Sequence, residues 1–479
     1  MKIKQGKKIS VKASAIVVPF FEKAVDHDMV TSLSGIKRKI DFDGKAKEVF
    51  SVLHPERDLT LHLAGIGSAH ETTAVWRIFR SVMHKLRSAC KGEIAIVCNH
   101  LENDIIFQIV QGVTLAMRKQ LTYRAENTGE GSVVKQIQII HDDIKIQELI
   151  DKSIRLAEVQ ISVMSIVDTP GNFKNPEFMY QQTLKIVPDN KVSCKIFKEK
   201  DLSRLGMHAL LSVGQGSIHK SAMIVLEYKG ASKKGAKRNV GLIGKGITFD
   251  TGGISIKPSA NMGYMKSDMA GAAAVIGAIA AAASFKLPLN ITGIIPVAEN
   301  SVDACSIRPG DVISSYSGKT IEVIDTDAEG RLILADALSF LIKNYNPDTI
   351  VDLATLTGNC IQILGSAGAG LFTKNEKLAK ELLEAGISTD EKLWHLPLWD
   401  EYASEMHSDI ADIKNLSSKP VAGAITAAKF LELFTEKHQE WAHIDIAGVA
   451  FTDNEFSRQR NATAYGVALL TRFLENRAG

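Results

Sequence analysis

Apolar, strand-like segments alternate with helical patterns along the first part of the chain, and this alternation limits the possible folds more than any other feature. The strand-like segments are Ala13–Val18, Leu59–Ala64 and Glu93–Cys98. Such alternation is typical of α/β proteins, in which helices cover a central sheet. With 479 residues, the chain is long enough for two or three domains. We therefore expect an α/β fold with more than one domain.

A long helical pattern marks the expected boundary between two domains. Apolar residues recur at helical spacing from Ile146 to Ile161, and the turn-rich segment Asp168–Pro176 follows. We predict a smaller N-terminal α/β domain, a connecting helix and a larger second α/β domain. Their predicted bounds are residues 1–145, 146–167 and 168–479.

Charge and cysteine usage exclude several classes of protein. The net charge is only +3, and the lysines and arginines are spread along the chain, so the composition does not indicate a nucleic-acid-binding protein. The nearest approach to a basic loop is Lys229–Arg238, which we interpret as a solvated turn. The five cysteines lie far apart without a CxxC pair, which disfavours a disulfide framework or structural zinc site. A reducing cytoplasm fits best.

Targeting and membrane segments are not expected. The apolar run Ala15–Phe21 is short, contains Pro19 and is followed at once by charged residues, so we interpret it as a strand and not as a signal peptide. The stretch Met269–Ser284 is mostly alanine and glycine and predicts a closely packed internal helix, with no membrane association. Two glycine clusters, Gly65–His70 and Gly244–Gly246, lack residues that nucleotide-binding motifs require.

The most informative segment contains two strand-like runs that end in acidic residues. Val240–Phe249 is interrupted near Gly246 and runs into Asp250. Thr320–Ile324 runs into an acidic loop, and the helical pattern Leu332–Asn344 follows. Ligands of α/β proteins bind beyond the carboxyl ends of the strands, so this arrangement indicates a site.

Four carboxylates are expected near these two strand ends. Asp327 and Glu329 are two residues apart, and an extended backbone would send both side chains to the same side. Asp250 and Asp268 complete a set whose four negative charges match two divalent cations. Carboxylates can bridge two metals about 3.5–4 Å apart, where a shared water becomes a strong nucleophile. The alternative is that each acid separately caps a helix or a turn.

Three basic residues lie among these acids: Lys245, Lys257 and Arg331. A neutral lysine amine can be a metal ligand, because nearby cations depress its pKa. A charged lysine or arginine can instead polarise a carbonyl, hold an anion or pair with the acids. The spacing alone leaves these roles open.

Two stretches closely resemble the two signatures of the leucyl (cytosol) aminopeptidase family, Asn239–Pro258 and Asp325–Leu332. The resemblance covers roughly residues 168–479, whereas residues 1–145 resemble the family only in size and α/β pattern. Further matching motifs are Met265–Ala273, Asp352–Gly358, Gly423–Thr426 and Trp441–Gly448. The resemblance implies that the second domain is an α/β/α catalytic metallopeptidase domain with a central, mostly parallel mixed sheet.

The resemblance also implies a two-metal exopeptidase. One metal ion would bind Lys245, Asp250, Asp268 and Glu329. The other would bind Asp250, Asp327 and Glu329, with Asp327 contributing its side chain and its main-chain carbonyl, so that Asp250 and Glu329 bridge. Nitrogen and carboxylate ligands suit manganese, zinc or cobalt.

The remaining roles follow from the same resemblance. Lys257 would polarise the scissile carbonyl, and Arg331 would hold a bicarbonate ion that acts as general base. The substrates would be peptides with a free N-terminus, whose α-amine binds a metal. A small, apolar pocket would favour a leucine-like first residue. The matching pocket positions are Met265, Thr355, Gly358, Ala447 and Ala450.

One residue departs from the family pattern, and one property is implied by the family alone. The second signature usually begins with Asn, but this chain has Asp325. If the backbone there is extended, Asp325 faces the metals beside Asp327; the alternative is that it accepts the same backbone hydrogen bonds as Asn. The family implies a homohexamer.

Other functions fit the sequence less well. Another two-metal hydrolase, such as a phosphoesterase, usually has a histidine-rich site, but none of the thirteen histidines lies within Asn239–Arg331. An added DNA-binding regulatory role is open, because some relatives bind DNA, but the mild charge does not support it. A catalytically inactive homologue is disfavoured because every metal and catalytic position is filled. A cysteine nucleophile at Cys305 or Cys360 lacks a nearby histidine.

Overall fold

The fold is described from a computed structural model of the chain. The described residues are 1–37, 40–88, 90–125, 134–188, 191–231 and 239–479. They form two compact units, Met1–Ile161 and Ser162–Gly479. Most of the predicted basic loop, including Lys233, Lys234, Lys237 and Arg238, lies outside the described residues.

The N-terminal unit is built on a six-stranded sheet in the order β1-β6-β5-β2-β4-β3. Adjacent strands are parallel except β3 and β4. The three predicted strands correspond to β2, β4 and β5. The elements are β1 (Lys2–Gly6), β2 (Ala13–Phe20), α1 (His27–Ser34), β3 (Val49–Leu53), β4 (Thr60–Gly65), α2 (Val75–Leu86), β5 (Gly92–Val97), α3 (Asn103–Ala116), β6 (Val134–Ile140) and α4 (Ile146–Asp168). The predicted connecting helix is α4, and the division between the two units falls within it.

The C-terminal unit carries the larger sheet and most of the helices. Its elements up to residue 322 are α5 (Pro176–Ile186), β7 (Val192–Lys198), α6 (Glu199–Leu205), α7 (His208–Gly214), β8 (Ala222–Lys229), β9 (Asn239–Gly244), β10 (Gly246–Asp250), α8 (Ala270–Phe285), β11 (Asn290–Asn300), β12 (Val312–Ser314) and β13 (Thr320–Glu322). The remaining elements are α9 (Glu329–Tyr345), β14 (Thr349–Ala354), α10 (Gly358–Leu364), β15 (Ala369–Phe372), α11 (Glu376–Thr389), β16 (Leu393–Leu396), β17 (Ile413–Lys414), α12 (Gly423–Glu432), β18 (Trp441–Asp445), β19 (Phe451–Thr452), β20 (Asn461–Ala462) and α13 (Val467–Ala478).

The larger sheet is mixed and mostly parallel, as predicted. Its order is β16-β15-β18-β14-β9-β11-β8-β7, and β10 also pairs with β11. The central strands β18, β14, β9 and β11 are parallel, whereas β8 is antiparallel to both β11 and β7, and β15 is antiparallel to β18. The mixed sheet and its helices therefore confirm the predicted fold class.

Two glycines of β9 show that helices cover both faces of this sheet. A Cβ atom at Gly241 would lie 2.5 Å from Leu341 of α9, and one at Gly244 would lie 2.5 Å from the carbonyl oxygen of Gly271 in α8. Residues three apart on a strand point to opposite faces. Helices α8 and α9 therefore pack on opposite faces of the sheet, which gives the predicted α/β/α layers.

The segment Met262–Phe285 is long and apolar enough to cross a membrane by length and composition alone, and 89% of its most apolar window is buried within the fold. All but the last two residues of α8 are buried. The close approach of Gly271 to Gly244 places the backbone of α8 directly on the sheet. The predicted internal helix is confirmed.

Candidate active site

Asp250 is the last residue of β10 and is held there by two donors. Strands β10 and β11 are parallel and pair Asp250 with Asn300. Asn300 donates its side-chain amide to Asp250 Oδ1 at 2.8 Å, and the backbone N–H of Gly252 donates to the same oxygen at 2.9 Å. The other oxygen, Oδ2, lies 2.9 Å from Lys257 Nζ. One carboxylate oxygen is thereby fixed by the protein while the other faces the cationic group.

Asp268 follows the short 3-10 helix Met262–Ser267 and precedes α8. Thr355 donates its hydroxyl to Asp268 Oδ1 at 2.7 Å, and Lys245 Nζ lies 2.8 Å from Oδ2. Lys245 Nζ also lies 2.9 Å from a carboxylate oxygen of Glu329 and donates to the carbonyl oxygen of Thr355 at 2.9 Å. Lys245 therefore connects Asp268 to Glu329, the first residue of α9.

The carboxylates of the two strand ends come together, but the backbone between Asp327 and Glu329 is not extended. One oxygen from each of Asp250, Asp327 and Glu329 lies within 4.8 Å of the others. Glu329 is the first residue of α9, and Ala328 donates its N–H to the carbonyl oxygen of Asp325 at 3.3 Å. The expectation of an extended loop is wrong, because a turn followed by a helix start brings the two side chains together.

Asp325 has a role in this turn. Its Oδ1 accepts the backbone N–H of Asp327 at 2.8 Å, which is a bond that an asparagine side chain could accept equally well. The extended backbone required for Asp325 to stand beside Asp327 is absent. The structure therefore favours the alternative in which Asp325 stabilises the turn.

Burial and mutual repulsion disfavour the ionised form of the carboxylates and raise their pKa values. Burial, with the Asp250 carboxylate adding to it, raises the pKa of Glu329 to about 8, and burial also raises the pKa of Asp268 to about 6. Burial alone would lower the pKa of Lys245, but the Asp268 and Glu329 carboxylates raise it well above its ordinary value. Lys245 can therefore serve as a metal ligand only by releasing a proton.

The donor set fits divalent metal ions. Glu329 is 2% exposed, and its Oε2 has no hydrogen-bond partner within the part of the chain that the structure describes. A buried carboxylate oxygen without a partner, beside further carboxylates within 4.8 Å, suits an oxygen-binding cation. Lys257 contacts both Asp250 and Asp327, so its ammonium lies at the edge of the same cluster.

Arg331 lies in the first turn of α9, beside the carboxylates. Its Nη1 donates to the carbonyl oxygen of Asn415 at 2.6 Å, and its buried Nε has no hydrogen-bond partner among the described residues. Burial lowers the pKa of Arg331 to about 10, although the Glu329 and Asp325 carboxylates oppose this. At neutral pH it is a buried cation with a donor available to an anion.

Comparisons with known proteins agree with this geometry. The family model described as "Cytosol aminopeptidase family, catalytic domain" matches residues 162–471. The chain belongs to the cytosol aminopeptidase family. It is 38% identical over 497 residues to a probable cytosol aminopeptidase from Chlorobaculum tepidum, with 97% of each chain covered. As a member of this family, the protein is an aminopeptidase, a hydrolase that acts on peptides. Metal dependence is general in the family.

Two solved structures are similar over nearly the whole chain. A variant of tomato leucine aminopeptidase matches with a TM-score of 0.87 at 29% identity, covering 99% of this chain and 96% of that one. The bottromycin maturation enzyme BotP in complex with Mn matches with a TM-score of 0.83 at 26% identity, covering 98% of this chain and 100% of that one. The resemblance seen in the sequence is confirmed.

The positions that match the aminopeptidase substrate pocket include Met265 in the 3-10 helix Met262–Ser267 and Gly358 at the start of α10. Asp445 accepts backbone N–H groups of Leu356 and Ala447, both at 3.1 Å, and so joins the loop of Thr355 and Gly358 to the loop of Ala447. The residues next to Met265 and Ala450 are also in contact, because the rings of Tyr264 and Phe451 are 5.8 Å apart between centroids. The five pocket positions remain predictions of the site.

Sequence reasoning missed two buried asparagines that hold the acidic loops of this aminopeptidase. Asn300 binds Asp250 and also donates to the carbonyl oxygen of Thr326 at 3.1 Å. Asn415 accepts the N–H of Ile324 at 2.8 Å and donates to the carbonyl oxygen of Asp325 at 2.7 Å. The role of Asn300 could have been sought in the sequence, at the end of the strand beside Asp250. No spacing rule links Asn415 to residues about 90 positions earlier.

Proposed function

We propose that the protein removes N-terminal residues, preferentially leucine-like ones, from peptides with a free α-amine, using two bound divalent metal ions. The observation that carries this proposal is the convergence of Asp250, Asp327 and Glu329 within 4.8 Å, with Lys245 joining Asp268 to them. Three carboxylates within 4.8 Å, with a fourth joined to them through Lys245, are balanced by two divalent cations better than by two lysines. Manganese or zinc suits this donor set.

The two proposed metal sites share ligands. One would use Lys245, Asp250, Asp268 and Glu329, and the other would use Asp250, Asp327 and Glu329. When bound, such a pair of ions supplies a hydroxide-like nucleophile at neutral pH and polarises the carbonyl. Asn300 and the N–H of Gly252 occupy Asp250 Oδ1, and these bonds orient the carboxylate.

Lys257 and Arg331 would serve the reaction without holding metal. Lys257 is half-buried, so its ammonium can contact a substrate while it stays next to Asp250. There it would stabilise the negative charge that develops on the carbonyl oxygen. Arg331 would hold bicarbonate as the base that accepts the proton of the attacking water, through the Nε that has no other partner in the described residues.

The pocket supports a preference for leucine-like side chains. Met265, Thr355, Gly358, Ala447 and Ala450 are small or apolar, so they leave space for a branched side chain without placing a charge there. The relatives' name, cytosol aminopeptidase, supports a cytoplasmic location for this protein. We also propose a homohexamer, on the family resemblance alone.

Hydrolysis of leucyl-p-nitroanilide by the purified protein tests this function. A chelator should abolish the activity, and added manganese or zinc should restore it, because the carboxylate cluster needs cations. N-acetyl-leucyl-p-nitroanilide should be refused, since acetylation removes the α-amine. Full activity in metal-stripped protein would contradict the two-metal proposal, and efficient cleavage of the acetylated substrate would contradict the aminopeptidase proposal.

A further inference from the structure

Lys174 is a fully buried lysine that lies outside the motifs recognised in the sequence. It stands in the loop before α5 with 0% of its surface exposed. Its Nζ donates to the carbonyl oxygens of Ile166 at 3.1 Å, Val167 at 2.9 Å and Lys266 at 2.5 Å. The sulfur of Met269 lies 3.5 Å from the same nitrogen.

Two of these carbonyl oxygens belong to the last turn of α4. Carbonyls at a helix C-terminus have no partner within the helix and lie at the negative end of its dipole, so a cation stabilises them. Lys266 adds a second connection, because its own Nζ donates to the carbonyl oxygen of Asp168, the last residue of α4, at 3.2 Å. The end of α4 is therefore tied to Lys266 both directly and through Lys174.

The segment that these bonds hold leads into the candidate active site. Lys266 and Met269 flank Asp268, and the 3-10 helix Met262–Ser267 contains Met265. We propose that Lys174 is a positioning residue for this segment: it holds the Lys266 carbonyl before Asp268 and contacts the Met269 side chain after it, and thereby sets the metal affinity of the site that includes Asp268 and the position of Met265. The metal part of this inference rests on the proposed function.

The three carbonyl acceptors favour the charged form of Lys174. An ammonium group has three N–H donors, one for each carbonyl oxygen, whereas a neutral amine has only two. Burial and the neighbouring charge of Lys266 act in the opposite direction and lower the pKa of Lys174 to about 7. Either form places its donors among the same carbonyl groups, so the tie between α4 and Lys266 depends on the presence of the nitrogen.

Lys174→Met tests the inference, with Lys191→Met as a matched control. Methionine keeps an unbranched apolar side chain but removes the donors. Lys191 Nζ donates to the carbonyl oxygen of Ala283 at 3.2 Å, near the C-terminal end of α8, so the control loses the same kind of bond at the far end of the helix that follows Asp268. Lys174→Gln, which keeps two N–H donors on a shorter side chain, is the second variant if Lys174→Met does not fold.

Three measurements are needed: backbone amide hydrogen exchange over residues 262–269, Mn²⁺ affinity in competition with a chromogenic chelator, and kcat and KM separately for leucyl-p-nitroanilide. We expect faster exchange, Mn²⁺ affinity lowered about tenfold or more at one of two sites, and a raised KM in Lys174→Met. Lys191→Met should match the wild type in all three.

Two outcomes would overturn the inference. Unchanged exchange over 262–269 would show that Lys174 does not hold the segment. Faster exchange with unchanged Mn²⁺ affinity and KM would reduce Lys174 to a role in folding alone. If the wild-type protein bound no Mn²⁺, the proposed function would fail, but the exchange measurement would still test whether Lys174 holds this segment.

Discussion

Single residues of the candidate site divide into those that would hold metal and those that would act on the substrate. Lys257 and Arg331 belong to the second group, and their substitution should separate activity from metal content. Lys257→Ala removes the positive charge that we propose faces the developing oxyanion, so we expect turnover to fall on the order of 10²–10³-fold while metal is retained. Arg331→Ala should cost less, because water or buffer anions can partly replace bicarbonate.

The control for these two variants is Asp250→Asn, which changes a proposed bridging ligand and should lose metal. Metal content by elemental analysis and turnover on leucyl-p-nitroanilide are measured on the same samples. If Lys257→Ala or Arg331→Ala emptied the metal sites, the residue concerned would hold metal and not substrate or base.

Asp325 is the residue at which this chain departs from its family, and its hydrogen bond predicts a small effect. Asparagine can accept the N–H of Asp327 as aspartate does, so we expect Asp325→Asn to keep metal affinity and to change turnover less than threefold. Asp325→Ala removes the acceptor and should weaken metal binding, because the turn that carries Asp327 loses a bond. A large gain or loss of metal affinity in Asp325→Asn would show that the charge, and not the hydrogen bond, matters.

At the scale of elements, the start of α9 is where sequence reasoning was least accurate. The strand ends, the acidic residues and the helical runs could be predicted because hydrophobic periodicity and charge are local properties of the sequence. The sequence argument for Asp327 and Glu329 assumes an extended backbone, whereas the structure has a turn and a helix start there. Asn415, about 90 residues later in the chain, bonds this stretch through its side chain.

The start of α9 also contains a glycine whose role can be tested. A Cβ atom at Gly330 would lie 2.5 Å from Lys245 Cε and 2.7 Å from its Nζ, so alanine would push this side chain out of its place. Alanine is otherwise a better helix residue than glycine by about 1 kcal/mol. Displacing a buried lysine from its two carboxylates costs more than this gain, so we expect Gly330→Ala to lower the thermal stability as well as the metal affinity and activity.

Calorimetric unfolding and a Mn²⁺ titration of Gly330→Ala measure these two effects separately. Lys245→Met, with and without Gly330→Ala, serves as the control, because residue 245 then has no amine to offer a metal in either background. Wild-type Mn²⁺ affinity in Gly330→Ala would show that Lys245 adapts without cost, or that it is not a ligand.

At the scale of the whole molecule, the two units have separate hydrophobic cores. The N-terminal unit buries residues on its six-stranded sheet, including Phe79 and Ile96, whereas the C-terminal core includes Leu242 and Phe430. Every residue of the proposed metal centre lies in the C-terminal unit. A ligand that binds only the folded form stabilises the unit that contains its site, by about 2.7 kcal/mol at a free concentration of 100 times Kd.

If the two units unfold independently, bound metal shifts the unfolding of the C-terminal unit alone. Of the four tryptophans, Trp76 lies in the N-terminal unit, and Trp394, Trp399 and Trp441 lie in the C-terminal unit. In a Trp76→Phe variant, tryptophan fluorescence therefore reports the C-terminal unit, and its melting temperature should rise with Mn²⁺. The matched variant, Trp394→Phe with Trp399→Phe and Trp441→Phe, reports the N-terminal unit and should melt at the same temperature with and without Mn²⁺. Equal shifts in both variants would show that the two units unfold together, so that metal bound in one stabilises the entire chain.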